Sequence, residues 1–242
     1  MDKFAGWKFA HRGLHGQGVP ENSMLAFRKA REQGYGVELD VHLLADGNLA
    51  VIHDFELVRT TGKNGVVEDL TVAQLDEYFL ENTMQTIPTL EQVLHLFDGR
   101  APLIVELKAV GKNYSVLCKK TCELLDSYNG LFCLESFDPR CVHWLRKNRP
   151  DLIRGQLTEN FFRSKASKLP WLLKFLLTNQ VLNFLTQPDF VAYKFQDRKN
   201  ISDFLVRKLW KTPSVTWTLL NKREINTAEK EGRIPIFENL TP

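Results

Sequence analysis

Several features that would place a chain in a functional class at once are scarce or missing here. Charge of one sign is not in excess: 32 basic and 29 acidic residues leave a formal net charge of +3 over 242 residues. So even a balance argues against the basic surface that nucleic acid requires, and no nucleic-acid partner is expected. Cysteine is scarce. Cys118, Cys122, Cys133 and Cys141 include no second pair at zinc-finger spacing, so they read as reduced thiols packed in a core. The opening MDKFAGW has neither the basic nor the apolar segment of a signal peptide, which makes a cytoplasmic location the expectation. No apolar run reaches the ~20 residues that cross a bilayer. The richest stretch, 169–185 (LPWLLKFLLTNQVLNFL), is broken by Lys174 and by Thr178-Asn179-Gln180, and its polar residues do not gather on one helical face. An outer helix that buries most of itself is the expectation for it. A peripheral lipid contact, or contact with a second subunit, is the alternative.

What the sequence does have is alternation. Residues 36–54 read as two short strands joined at Asp46-Gly47, a pair that tolerates the left-handed backbone of a tight turn. In the first strand Val37, Leu39 and Val41 alternate with Glu38, Asp40 and His42. Side chains two apart share a face of a strand, so Glu38 and Asp40 emerge side by side. The plain reading is a solvated polar face. The sharper one is a divalent-cation site, because adjacent carboxylates repel unless a cation lies between them, and their oxygens suit a hard ion. The second strand, 49–52, is apolar throughout and ends in His53-Asp54, which predicts an imidazole at the carboxyl end of a buried strand.

The rest of the chain repeats strand and helix. Residues 4–10 form an apolar run ending in His11-Arg12-Gly13, and Asn22 or Ser23 caps a helix that runs to Gln33 and stops at Gly34. Residues 55–88 are loop-rich, with a helix predicted over 71–78, and read as an inserted subdomain. Thr89 caps a helix over 91–97. Further strands are predicted at 102–107, 131–135, 152–157, 189–193, 215–219 and 234–237, with helices at 113–127, 139–148, 201–210 and 222–231. No linker or low-complexity segment divides the chain, so 1–242 is expected to be one domain. Alternation of this length predicts an α/β fold whose parallel sheet closes as a (β/α)8 TIM barrel, with a small inserted subdomain after the third strand. Nine candidate strands compete for eight places, and either 189–193 or 234–237 is expected to be marginal.

A barrel gathers the carboxyl ends of its strands at one mouth. The groups so placed are His11, Arg12, Glu38, Asp40, His53, Glu106, Lys108, Ser136 and Trp217. Three carboxylates suit a divalent cation, two histidines can exchange protons near neutral pH, and Arg12 and Lys108 suit phosphate oxygens. Phosphodiester cleavage needs that combination: charge grows on non-bridging oxygens while one oxygen loses a proton and another gains one. Each residue taken singly has a structural explanation, Trp217 as core and Glu106-Lys108 as a strand ion pair.

The series His11-Arg12-Gly13, Pro20-Glu21-Asn22-Ser23, Glu38-Leu39-Asp40-Val41, His53-Asp54, Arg59-Thr60-Thr61-Gly62, Ile87-Pro88-Thr89-Leu90 and Glu106-Leu107-Lys108 resembles the glycerophosphodiester phosphodiesterase family in order and spacing. Ser136-Phe137 and Trp217-Thr218 match weaker positions. The resemblance implies a (β/α)8 barrel hydrolysing small glycerophosphodiesters to an alcohol and glycerol 3-phosphate with Mg²⁺ or Ca²⁺, within lipid and glycerol metabolism. It implies Glu38, Asp40 and Glu106 as metal ligands, and His11 and His53 as the acid/base pair, with His53 as base. It further implies Arg12, Lys108 and Trp217 at the substrate and Glu21 orienting groups around the metal. One departure stands out: the family closes on a glycine-rich strand ending in Thr-Asp, where this chain has IPIFEN at 234–239. A related barrel enzyme acting on phospholipids or lysophospholipids, and a catalytically silent ligand-binding barrel, are the rival readings. The sequence carries no signal for an oligomeric state.

Overall fold

The computed structural model describes residues 1–164 and 167–240. Nine strands form one sheet: β1 (Phe9–His11), β2 (Gly36–Leu43), β3 (Leu49–Val51), β4 (Leu103–Leu107), β5 (Phe132–Ser136), β6 (Arg154–Thr158), β7 (Phe190–Lys194), β8 (Ser214–Leu219) and β9 (Ile234–Phe237). Eight of them are parallel. Their order, β1-β9-β8-β7-β6-β5-β4-β2, is closed by pairing of β1 with β2, so the sheet is the expected eight-stranded barrel.

The ninth strand is not the one predicted to be marginal. Both 189–193 and 234–237 supply full barrel staves, β7 and β9, and the extra strand is β3. It runs antiparallel to β2, with Val41 opposite Val51, because the Asp46-Gly47 turn reverses the chain at once. His53 therefore does not stand at the carboxyl end of a parallel stave. It reaches the mouth by doubling back: Ile52 N–H donates to the Asp40 carbonyl at 3.1 Å. The run 4–10 is also shorter as a strand than expected. Residues Asp2–Phe4 form a 3-10 turn, and Phe4 packs under Phe9 at 6.1 Å between ring centroids, closing the barrel floor.

The helices start where the sequence offers caps. Ser23 accepts from Ala26 N–H at 3.1 Å to open α1 (Met24–Glu32), and Thr89 with Gln92 forms a capping box, preceded by α2 (Val58–Thr61), at the head of α3 (Leu90–Phe97). Then come α4 (Tyr114–Leu125) and α5 (Pro139–Asn148), the latter capped by Asp138 with Pro139 at its first position. The stretch predicted as a helix at 71–78 is a 3-10 helix, Val72–Glu77, and it packs with Leu44, Ile52, Leu57 and Leu80 as a small core of its own beside β3.

Period-two alternation divides the barrel. Val37, Leu39 and Val41 face outward into the helix layer. Inside, Phe9, Ile104, Cys133 and Phe190 make an apolar floor. Gly155 leaves room for the Phe190 ring, whose Cζ would lie 2.2 Å from a Cβ there. One step up the same strands, two residues on, stand His11, Glu106 and Glu135, so the polar layer begins directly above the apolar one.

The apolar stretch 169–185 departs from its expectation. It forms two short helices, α6 (Trp171–Thr178) and α7 (Asn183–Thr186), and in α6 only Thr178 is buried while Trp171 is 68% exposed. The burial of an outer helix is not achieved, because eight residues broken by Asn179 and Gln180 are too short to cover the staves behind them. After it come α8 (Ile201–Leu209) and α9 (Lys222–Lys230), both capped by asparagines. Cys118, Cys122, Cys133 and Cys141 are all free and buried, as expected.

Candidate active site

Register builds the site. Pairing of His11 with Glu38 on β1 and β2, of Asp40 with Glu106 on β2 and β4, and of Glu106 with Glu135 on β4 and β5 sets an arc of polar residues around the mouth. Glu38, Asp40 and Glu106 are buried, and one carboxylate oxygen from each lies within 4.8 Å of the other two. Lys108 Nζ bridges Asp40 Oδ1 at 3.0 Å and Glu106 Oε1 at 2.8 Å. Arg12 Nε stands 3.3 Å from Asp40 Oδ2, and Asn22 Nδ2 donates to the same oxygen at 2.8 Å. Arg12 and Asn22 both adopt left-handed backbone, φ 53° and 52°, and Asn22 N–H donates to the Arg12 carbonyl at 2.9 Å. That tight local fold turns both side chains toward Asp40. Gly13 is required beside it, because a Cβ there would meet Ala26 Cβ at 2.8 Å and its φ is +80°.

Electrostatics separates the acids. Burial and repulsion from Asp40 and Glu106 push Glu38 well above the ordinary carboxyl range. Burial also opposes charge on Asp40, yet Lys108, His53 and Arg12 together hold its carboxyl well below that range. Glu106 is raised by burial, which Lys108 only partly offsets.

His53 and His11 are each tied to a carboxylate through Nδ1. His53 Nδ1 lies 2.6 Å from Asp54 Oδ1, and Arg59 binds Asp54 in turn while donating to Glu21 at 2.6 Å. Glu21 also accepts from Arg12 at 3.0 Å, so it sits at the rim as the clamp for both arginines. His11 Nδ1 lies 2.8 Å from Glu238 Oε2, and its Nε2 is 3.8 Å from Glu38. Burial lowers the His11 pKa below its ordinary value, although the Glu238 contact pulls it back in part.

Four supporting residues escaped the sequence reading. Glu238 follows the last stave directly, so the rule that found His11 also applied to it. Glu135 precedes Ser136 on β5; it is 1% exposed, its Oε2 has no hydrogen-bond partner, and burial beside Glu106 raises its pKa well above the ordinary range. His42 and Glu68 left no signal of their role. Buried His42 binds Glu68 Oε1 at 2.6 Å and the His53 carbonyl at 3.2 Å, which locks the His53 segment to the 3-10 turn Val67–Asp69. Ser136, singled out at the mouth, is structural: its hydroxyl donates to the Leu107 carbonyl at 2.7 Å.

A cavity of about 40 Å³ is lined by His11, Glu38, His53, Glu106, Glu135 and Trp217, among others. It opens beside a cleft of about 380 Å³ that His53, Arg59, Glu106, Lys108 and Phe137 line. Trp217 donates its indole N–H to the Ala192 carbonyl at 3.2 Å and stands edge-on to Phe137 at 5.5 Å, forming the apolar wall. The donor set fits a divalent cation. Glu38, Asp40 and Glu106 offer oxygen ligands within 4.8 Å of one another, and a hard dication among them would relieve the mutual repulsion that raises Glu38.

The match to the glycerophosphoryl diester phosphodiesterase family model runs over residues 11–239. The chain belongs to this family. A glycerophosphodiester phosphodiesterase of Bacillus altitudinis is 42% identical over 113 residues, 44% of this chain and 46% of that protein. A second, from Caldanaerobacter subterraneus subsp. tengcongensis, is 35% identical over 158 residues, 61% of this chain and 65% of that protein. The matched segments thus span about half to two thirds of these relatives. In fold, the family member resembles the Oleispira antarctica phosphodiesterase solved with the product sn-glycerol-3-phosphate. The TM-score is 0.81 at 21% identity, covering 98% of this chain and 94% of that one.

Proposed function

We propose that the chain hydrolyses glycerophosphodiesters to an alcohol and sn-glycerol 3-phosphate, as a divalent-cation-dependent phosphodiesterase of lipid and glycerol turnover. The observation that carries this reading is the convergence of the buried carboxylates Glu38 and Glu106, both imidazoles and the half-buried Arg12 on one cavity at the barrel mouth, with Asp40 and Lys108 paired beside it. Membership of the family supports it.

Glu38, Asp40 and Glu106 would hold the cation, Mg²⁺ or Ca²⁺, which when bound would polarise a phosphoryl oxygen and offset the charge that develops there. Lys108 uses two of its three N–H donors on Asp40 and Glu106, leaving the third for a phosphate oxygen. Arg12 adds a second positive group, held at its angle by Glu21. With Nδ1 of each imidazole engaged, Nε2 is the nitrogen that moves protons. One histidine takes a proton from the nucleophile, either water or the glycerol hydroxyl beside the phosphate, and the other protonates the leaving alkoxide. Trp217 and Phe137 would bound the alcohol side of the cleft.

Turnover of glycerophosphocholine before and after exhaustive chelation tests the reading. Activity should vanish on chelation and return with added Mg²⁺ or Ca²⁺; activity that survives full removal defeats it. A second reading, in which lysophospholipids are the substrates, is favoured by the exposed apolar side chains of α6, and rates on lysolipid micelles against water-soluble diesters separate the two.

A further inference from the structure

The apolar side chains that the fold leaves uncovered are unevenly placed. Of twenty large hydrophobic side chains exposed among the described residues, fourteen lie within 162–220, and the other six are scattered between Phe55 and Val116. They belong to one region of the barrel wall. Ser202 at the head of α8 donates to the Thr178 carbonyl at the end of α6, at 3.1 Å, and Phe184 of α7 meets Trp210 edge-on at 5.8 Å. The region reaches the mouth. Phe161, just past β6, contacts Phe137 at the cleft, and the adjacent Phe162 contacts Trp171, which stacks on Phe175.

Charge is as uneven as apolarity. Residues 162–220 hold ten Lys and Arg but three Asp, whereas the whole chain is nearly balanced. Two of the three, Asp197 and Asp203, are buried, and Asp203 is bound to Arg233 at 2.6 Å. Lys168, Lys199, Lys208 and Lys211 are exposed and lie within three residues of the exposed Trp171, Ile201, Leu209 and Trp210. Exposed aromatic and leucine side chains interspersed with lysines match the boundary of an anionic bilayer, where rings enter the acyl edge and ammonium groups meet headgroup phosphates. A second copy of the chain would fit poorly, because a two-fold contact through this face sets lysines against lysines.

We propose that the α6–α8 face docks the protein on anionic lipid bilayers, with the barrel mouth at the membrane edge where lipid-derived phosphodiesters are presented. The use made of the mouth rests on the proposed phosphodiesterase chemistry; docking does not, so binding is measured without substrate.

The chain is sedimented with vesicles of phosphatidylcholine alone and with vesicles containing one third phosphatidylglycerol. Binding to the anionic vesicles should exceed binding to the neutral ones by about tenfold or more and should fall with added salt. The double variant Trp171→Ala/Phe204→Ala, at two exposed positions, should lose about tenfold in vesicle binding while its rate on a water-soluble diester stays unchanged. Lys199→Glu/Lys208→Glu, also exposed, should abolish the preference for anionic lipid. A chain that stays in the supernatant with both vesicles overturns the proposal, as do variants that bind like the parent. So does a dimer, seen by light scattering without lipid, that Trp171→Ala/Phe204→Ala dissolves, since the face would then belong to a second copy.

Discussion

The two sides of the barrel mouth are built from different materials. Strands β1, β2, β4 and β5, with the β3 excursion, supply His11, Glu38, Asp40, His53, Glu106 and Glu135, and short ion pairs hold Asp40, Glu106, His53 and His11 among them. Strands β6 to β8 supply Phe161 and Trp217, and their helices leave aromatic and leucine side chains in solvent. Buried charge must be partnered or neutralised, so the first side is over-determined. Exposed apolar surface has no such demand within the chain, and its complement lies outside it. The first side is suited to doing chemistry and the second to receiving what the chemistry acts on.

The largest effect should come from the polar side. His11→Ala or His53→Ala should each cost about 10²–10⁴ in turnover of a soluble diester, the range for a lost proton-transfer group, while substitutions of the exposed side chains Trp171 and Phe204, away from the cleft, leave that rate intact. Equal losses from both sides would break the comparison. Glu238→Gln should cost about 10–100-fold by loosening His11, with Glu238→Asp recovering part of it and His53-dependent steps unaffected; a silent Glu238→Gln would mean the contact is structural. Cation affinity should weaken as pH falls. Glu38 and Glu106 have raised pKa values, so they are protonated over the range just above the ordinary carboxyl value, and protons then compete with the ion. Calorimetry in buffers of different ionisation heat should register proton release on binding, and an affinity flat between acid and neutral pH contradicts the assignment. The smallest effect belongs to the apolar layers behind both sides. Burial raises Cys122 to about 11 and holds Cys133 well above its ordinary value, so the native chain should resist alkylation at pH 8 and label fully only in denaturant.

The same division explains what the sequence made legible. Alternation in β2 is readable because a carboxylate at every second position contrasts with valine and leucine between, and so Glu38 and Asp40 could be placed before any coordinates. His53 lines the mouth, but not as the end of a parallel stave: a tight turn gives the same local pattern whether the next strand is a stave or a return. Glu238 follows an atypical last strand, and the departure of IPIFEN from the family pattern hid that its glutamate reaches His11. The stretch 169–185 misled because leucine and phenylalanine in short helices look alike whether they face a core or solvent. Only the length of the helix and the staves behind it decide, and neither is written in a local window.

Acids from β2 and β4 stand close enough to gather one divalent cation beside two imidazoles. Titration of Mg²⁺ or Ca²⁺ into the chelator-stripped protein, followed by isothermal calorimetry in parallel with Asp40→Asn, tests it most directly. The structure predicts one ion bound per chain, with binding lost in the variant together with diester hydrolysis. A stripped protein that binds no ion and still hydrolyses the diester would contradict it.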